Sequence, residues 1–166
     1  MQSIFVDDAK CLGCKTCELA CAAAHTPSKN LFAALAANET AQARIYVESA
    51  GAGAFPLQCR HCAEAQCAKA CVTGALWEHP ETGAVKYAEE KCLGCLMCVT
   101  ACPFGVCAEA QNKKIAKCDL CAGLPQGPAC VEACPTGAVR FGSAGSFAKK
   151  RRQEYLVQLE REKERA

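Results

Sequence analysis

The chain has 166 residues, 17 of them Cys, and a formal net charge of +2. Its 51% hydrophobic content includes 32 Ala and 17 Cys, which leaves 36 larger apolar side chains. That supply excludes a conventional apolar core as the main source of stability, and ordinary charge and glycine levels exclude a disordered polymer.

So high a Cys content points to disulfides, zinc or iron–sulfur clusters. Met1–Lys10 has no apolar signal-peptide core, and no run approaches a membrane-spanning length. The expectation is therefore a cytoplasmic protein without membrane insertion. The odd Cys count argues further against a disulfide scaffold.

In chain order, a terminal strand ending at Phe5 leads to the first cysteine group, Cys11-x2-Cys14-x2-Cys17-x3-Cys21. Residues 28–43 form a predicted Ala-rich helix capped by Ser28 or Asn30, followed by a strand over Arg44–Glu48 and a Gly/Ala loop at 50–54. The second group is Cys59-x2-Cys62-x4-Cys67-x3-Cys71. Next come a strand (75–78), a turn (79–83, with Pro80 and Gly83) and a strand (84–87), on which Trp77 is expected to pack. The third group is Cys92-x2-Cys95-x2-Cys98-x3-Cys102-Pro103, and Cys107, the one Cys outside the groups, reads as a small buried thiol. The fourth is Cys118-x2-Cys121-x8-Cys130-x3-Cys134-Pro135, with a final strand reaching Phe141. Residues 147–166 are a predicted helical arm whose spacing puts Ala148, Arg152, Tyr155, Leu156 and Leu159 on one side. Such an arm is expected to dock onto a neighbouring subunit; a solvated tail is the alternative. Its alternating acidic and basic residues argue against nucleic acid.

The first and third groups have the bacterial ferredoxin spacing, in which three thiolates wrap one cubane and the fourth reaches a different one. Zinc needs only paired Cys-x2-Cys hooks and has no use for the additional close cysteines. Four such groups predict four [4Fe–4S] clusters.

An internal repeat decides which groups belong together. Cys134-Pro-Thr-Gly-Ala-Val-Arg-Phe141 matches Cys71-Val-Thr-Gly-Ala-Leu-Trp77, and Phe5-Val-Asp-Asp-Ala-Lys-Cys11-Leu-Gly-Cys14 matches Tyr87-Ala-Glu-Glu-Lys-Cys92-Leu-Gly-Cys95. The outer module thus looks like the inner one with its hairpin cut open at the chain ends. The expected fold is α+β: two bacterial-ferredoxin-like 2[4Fe–4S] modules with short β-hairpins and short helices, plus the arm. The outer module takes 1–54 with 112–146, the inner 55–111 and the arm 147–166. With ligand exchange, Cys11, Cys14 and Cys17 take Cys134; Cys118, Cys121 and Cys130 take Cys21; Cys59, Cys62 and Cys67 take Cys102; and Cys92, Cys95 and Cys98 take Cys71.

The stretches Phe55-Pro-Leu-Gln-Cys-Arg-His-Cys62 and Lys117-Cys-Asp-Leu-Cys121…Gly127-Pro-Ala-Cys130-Val-Glu-Ala-Cys-Pro-Thr-Gly-Ala138 resemble the four-cluster ferredoxin-like subunits of the dimethyl-sulfoxide-reductase iron–sulfur family. The resemblance spans roughly residues 3–142 and is greatest for the short members, which serve formate dehydrogenases, hydrogenases, carbon monoxide dehydrogenase and tungsten aldehyde oxidoreductases. It implies an electron-transfer subunit without substrate chemistry, and the same pairing of groups. Val72 departs from the proline usual at its position, and no cluster Cys is replaced, so no [3Fe–4S] centre is indicated.

No Ser/His/Asp set, phosphate loop or framed carboxylate pair is present, so no independent active site is expected. His25, His61 and His79 read as structural, with contact to a cluster as the alternative, and Lys10, Lys15, Lys91, Lys113, Lys114 and Lys117 individually as surface lysines, with local offset of the negative cluster charge as the alternative. The expected partner is a large catalytic oxidoreductase subunit of an anaerobic complex, by analogy of the molybdenum/tungsten-pterin type for aldehyde or formate, ahead of a hydrogenase or CO dehydrogenase. Further copies joined through 147–166 into a wire, and a flavin subunit or soluble ferredoxin, are secondary partners. Rival readings are a zinc-stabilised interaction protein and a carrier that delivers clusters to other enzymes.

Overall fold

The computed structural model describes residues 2–51, 53–163 and 165. The expected loop at 50–54 and arm at 147–166 therefore lie partly outside the described residues, at 52, 164 and 166. In chain order the elements are β1 (Ser3–Val6), α1 (Thr16–Ala24), α2 (Leu31–Ala36), β2 (Ile45–Ala50), β3 (Gly53–Gln58), α3 (Gln66–Lys69), β4 (Leu76–Glu78), β5 (Val85–Tyr87), α4 (Met97–Thr100), β6 (Ala108–Glu109), β7 (Ile115–Ala116), α5 (Ala129–Glu132), β8 (Val139–Gly142) and α6 (Ala144–Lys163). The fold is α+β, its strands joined as the antiparallel pairs β1–β8, β2–β3, β4–β5 and β6–β7.

The repeat seen in the sequence recurs in the backbone. Val6 lies opposite Val139 in β1–β8, and Leu76 opposite Tyr87 in β4–β5. Beyond these pairs, Asp7 N donates to Ala138 O and Ala88 N to Ala75 O, each at 2.8 Å. Matching 3-10 turns follow at Asp8–Lys10 and Glu89–Lys91, each leading straight into a cysteine group. The first and last strands of the chain thus meet as the inner hairpin strands do.

The buried residues form two mixed clusters of apolar and thiol side chains. One joins Ile4, Ile45, Val47 and Val139 to Cys17, Cys21, Cys118 and Cys130. The other joins Leu76, Val85 and Ile115 to Cys98 and Cys107.

The helix expected over 28–43 is much shorter. The Asn30 side chain caps it, accepting from Phe32 N and Ala33 N at 3.0 Å each. It stops because Asn38 is left-handed (φ 51), while Asn38 N bonds Leu35 O and Glu39 N bonds Ala34 O. That reversal closes the helix end with an Asn in place of the usual Gly. The strand expected at 44–48 is β2, whose partner β3 runs across residue 54, the expected edge of the outer module. Trp77 lies on β4 opposite Lys86 and is 39% exposed, so it covers less of the hairpin than expected.

The arm exists as α6, and a side other than the expected stripe meets its own chain. Ala148, Arg152, Tyr155 and Leu156 are exposed. Phe147 instead stacks on Phe5, with centroids 4.9 Å apart. Arg151 reaches Asp7 at 2.8 Å, and Glu154 reaches Arg140 at 2.8 Å and Lys10 at 2.9 Å. The near half of the arm therefore docks on β1 and β8 of its own chain. Phe147, Arg151 and Glu154 fall along one helical side, one turn apart. A ring stack and ion pairs fasten this side, and the expected stripe is left largely exposed.

Candidate iron–sulfur sites

Each cysteine group opens with a Cys-x2-Cys hook, and all four hooks bend the same way. The residue before the second Cys has positive φ in every case: Gly13 (67), His61 (47), Gly94 (71) and Leu120 (60). A left-handed residue at this place reverses the backbone between the two cysteines of the hook. The third cysteine of each group, Cys17, Cys67, Cys98 or Cys130, is the second residue of its helix. Free N–H groups of the first helical turn favour negative charge there.

Cys11, Cys14, Cys17 and Cys134 line one cavity together with Val47 and Val139. At Cys130 the neighbouring charges of Cys21, Cys118 and Cys121 add to burial in raising the thiol pKa. Burial, then Cys59, then Cys102 do the same at Cys62. At Cys98 burial dominates, and Cys71 and Cys92 add to it. Cys95 and Cys14 are exposed, whereas Cys21, Cys118, Cys121 and Cys130 are all buried.

Burial pushes Cys17 up to about 11 and Cys118 to about 12, so these thiols hold their protons unless a metal displaces them. Cys71 and Cys134 behave oppositely. Burial raises both, but N–H groups outweigh it: Leu76, Thr73 and Ala75 at Cys71, and Val139, Thr136 and Ala138 at Cys134. The Thr73 and Thr136 hydroxyls also lie 3.7 Å from these sulfurs. Donors of this kind tune a bound cluster.

The histidines have distinct places. His25 bonds Cys21 O at 2.7 Å and Asp119 at 3.2 Å, and lies 3.7 Å from Cys21 Sγ. Burial lowers its pKa, but Asp119 and Cys21 outweigh this and raise it to about 9. His25, Asp119 and Cys121 approach within 4.8 Å, a spacing a metal ion accepts, but Arg44 already sits 3.0 Å from Asp119. His61 is 2% exposed and accepts from Val85 N at 3.0 Å; burial and then Lys117 lower its pKa to about 3. His79 sits in the β4–β5 turn, where its N bonds Ala84 O.

Lys117 overturns its reading as a surface lysine: it is 4% exposed. Its position directly before Cys118 gave no signal of burial. Cys107 is buried, as expected, 3.8 Å from Cys98 Sγ, and burial raises its pKa.

Repeated cysteine hooks and mixed thiol cores fit iron–sulfur cubanes chemically. A family described as the 4Fe-4S dicluster domain matches residues 52–144. The chain belongs to this family. An iron-sulfur protein of Rhodospirillum rubrum is 41% identical over 154 residues, covering 83% of this chain and 80% of the relative. Electron transport protein HydN of Escherichia coli is 36% identical over 152 residues, covering 82% and 85%. The beta subunit of NADH-dependent phenylglyoxylate dehydrogenase of Aromatoleum evansii is 36% identical over 143 residues, covering 83% of this chain and 29% of the relative. Among the described residues, no helix is long and apolar enough to cross a membrane.

Proposed function

We propose that this 4Fe-4S dicluster protein is a non-catalytic electron-transfer subunit of an oxidoreductase complex, built to hold four [4Fe–4S] clusters. The observation that carries the reading is the shared geometry of the four hooks: one positive-φ bend and one helix-borne third cysteine in each. The proposed ligand quartets are Cys11, Cys14, Cys17 and Cys134; Cys118, Cys121, Cys130 and Cys21; Cys59, Cys62, Cys67 and Cys102; and Cys92, Cys95, Cys98 and Cys71. The cavity lined by Cys11, Cys14, Cys17 and Cys134 supports the first of these quartets. When bound, such clusters supply one-electron transfer.

The chain's own residues do the rest. N–H groups and Thr hydroxyls face the sulfurs, and the Ala-rich surroundings keep bulk away. The Cys118 quartet is screened from water. Cys14 and Cys95 put the Cys11 and Cys92 quartets at the surface, where we place the approach of partners. Relatives named as an electron transport protein and as a dehydrogenase subunit support a catalytic subunit as one partner. By the family analogy we favour a molybdenum/tungsten-pterin type.

The deciding experiment is iron, sulfide and zinc analysis of anaerobically purified protein, with electron paramagnetic resonance after reduction. About sixteen irons and sixteen sulfides per chain and reducible cubane signals are expected. About four zincs and no visible absorption would favour the interaction-protein reading instead.

A further inference from the structure

We propose that Lys117 is a buried counter-charge shared by the Cys118 and Cys59 quartets, which sets the reduction potentials of the two clusters they hold. The proposal rests on the cluster reading above and adds a residue outside every ligand set.

Lys117 is 4% exposed, and among the described residues no carboxylate lies within 4.0 Å of its ammonium. Its Nζ donates to Val85 O at 2.7 Å and to Cys118 O at 2.8 Å. Two carbonyl dipoles satisfy two of its three protons and leave its charge uncompensated. An isolated buried ammonium is costly, so buried charges are normally paired. The thiolates of two loaded quartets would provide the pairing: Lys117 directly precedes Cys118 and bonds its carbonyl, and its other partner, Val85, is bonded to His61 of the Cys59 hook. Four thiolates around a 2+ core carry a net charge of about −2, so two loaded quartets are ample counter-charge.

A second buried group points the same way. Val85 is held on both sides: its C=O by Lys117 and its N–H by His61 Nδ1, at 3.0 Å. With Nδ1 accepting, the proton of the neutral ring sits on Nε2, which is buried and has no partner among the described residues. His61 belongs to the Cys59 hook and Lys117 directly precedes the Cys118 hook. Strand β5 thus ties the buried Lys117 ammonium to the buried neutral imidazole of the Cys59 hook. A positive charge fixed beside a cluster favours its reduced state.

The test uses K117M and K117R in the full chain, with K114Q as a surface-charge control. Iron content is measured first, then a reductive titration followed by electron paramagnetic resonance. K117M should retain its iron and shift two of the four couples to lower potential by about tenfold in the reduction equilibrium, or about 59 mV per one-electron couple. The other two couples should stay in place, and K117R and K114Q should keep all four. Loss of half the iron in K117M with full loading in K117R would equally support a charge requirement at two quartets. Unchanged potentials in K117M, a common shift of all four, or iron loss in K117M and K117R alike would overturn the proposal. Iron-free wild-type protein would overturn the cluster reading itself, a separate outcome.

Discussion

Phe147 stacks on Phe5 with ring centroids 4.9 Å apart and planes 19° from parallel, so the start of the last helix is fastened to the first strand of the chain. Phe5 lies opposite Arg140 in β1–β8, and Arg140 in turn holds Glu154 of α6. The stack is therefore one end of a clasp whose other end is ionic. Phe147→Ala removes the ring and its burial, and should cost about 1–2 kcal/mol of docking free energy. Hydrogen exchange of the α6 amides should rise severalfold while iron content stays unchanged. Unaltered α6 protection would show that the stack does not hold the helix.

Glu154 is the ionic end. Lys10 and then Arg140 hold its carboxyl down to about 2, well below the ordinary 4.5. A depressed folded-state pKa contributes stability that is fully present above the ordinary value and is lost as pH falls through the folded one. Between pH 4.5 and about 2 the clasp should weaken, with Asp7, Arg151, Lys10 and Arg140 as the other charges at the contact. The pair is partly exposed, so Glu154→Gln should loosen α6 by about 1 kcal/mol at neutral pH. It should also flatten the acid dependence of α6 amide exchange. An acid limb as steep as in wild-type protein would assign that dependence to another group.

Much of this arrangement was legible in the sequence, and the exceptions have physical reasons. Matching Cys-Pro/Val-Thr-Gly-Ala and Cys-Leu-Gly-Cys segments anticipated that the two ends of the chain would pair as the inner hairpin does, because identical local sequences around cysteines demand similar local backbones. Gly13 and Gly94 take left-handed turns that glycine adopts freely. His61 and Leu120 adopt the same turn with side chains that ordinarily avoid it, and the surrounding structure has to enforce it. The Ala-rich run after Asn30 overstated α2, since propensity carries no knowledge of the reversal at Asn38. Lys114 and Lys117 are chemically identical, yet only one is buried, and their burial is decided by contact with β5, distant in sequence. The fastening of α6 to its own chain was not legible because a hydrophobic count cannot see ion pairs.

Gly94 offers a sharp test of the hook geometry. Its φ is 71°, and a Cβ there would collide with the Lys113 carbonyl oxygen, a backbone atom with little room to move. Gly13 occupies the matching place in the first hook, where a Cβ would meet only the Ala54 side chain at 3.1 Å. Both substitutions to Ala incur the left-handed cost of about 1 kcal/mol. Gly94→Ala adds a backbone clash and should distort the Cys92 hook, with loss of about four irons per chain on the proposed stoichiometry. Gly13→Ala should lose fewer. Equal iron retention in the two variants would mean that hook closure tolerates the displaced loop.

Cys107 separates ligand from neighbour. Its sulfur lies 3.8 Å from Cys98 Sγ in a buried position, but it lies outside the repeated hooks. Cys107→Ala should keep the full iron content and cost about 1 kcal/mol for the small void left behind. Cys98→Ala should remove a cluster. If Cys107→Ala instead loses iron as Cys98→Ala does, the seventeenth cysteine is a ligand and the quartet assignment must change.

Iron removal tests what holds the fold together. The two buried clusters of side chains are part thiol and part aliphatic, and the apolar members are few: Ile4, Ile45, Val47 and Val139 in one, Leu76, Val85 and Ile115 in the other. Without metal, buried thiols stay protonated, since burial raises Cys118 to about 12 and Cys17 to about 11. Protonated thiols cannot cross-link the four hooks, and Lys117 would lose its counter-charge. Binding free energy at such sites is folding free energy. Chelated, iron-depleted protein should therefore lose its cooperative thermal transition and expose its amides broadly, with the β1–β8 and β4–β5 pairs opening along with the hooks. A sharp transition in iron-free protein, by calorimetry or circular dichroism, would show that the aliphatic residues suffice and that the cysteine quartets add function without carrying the fold.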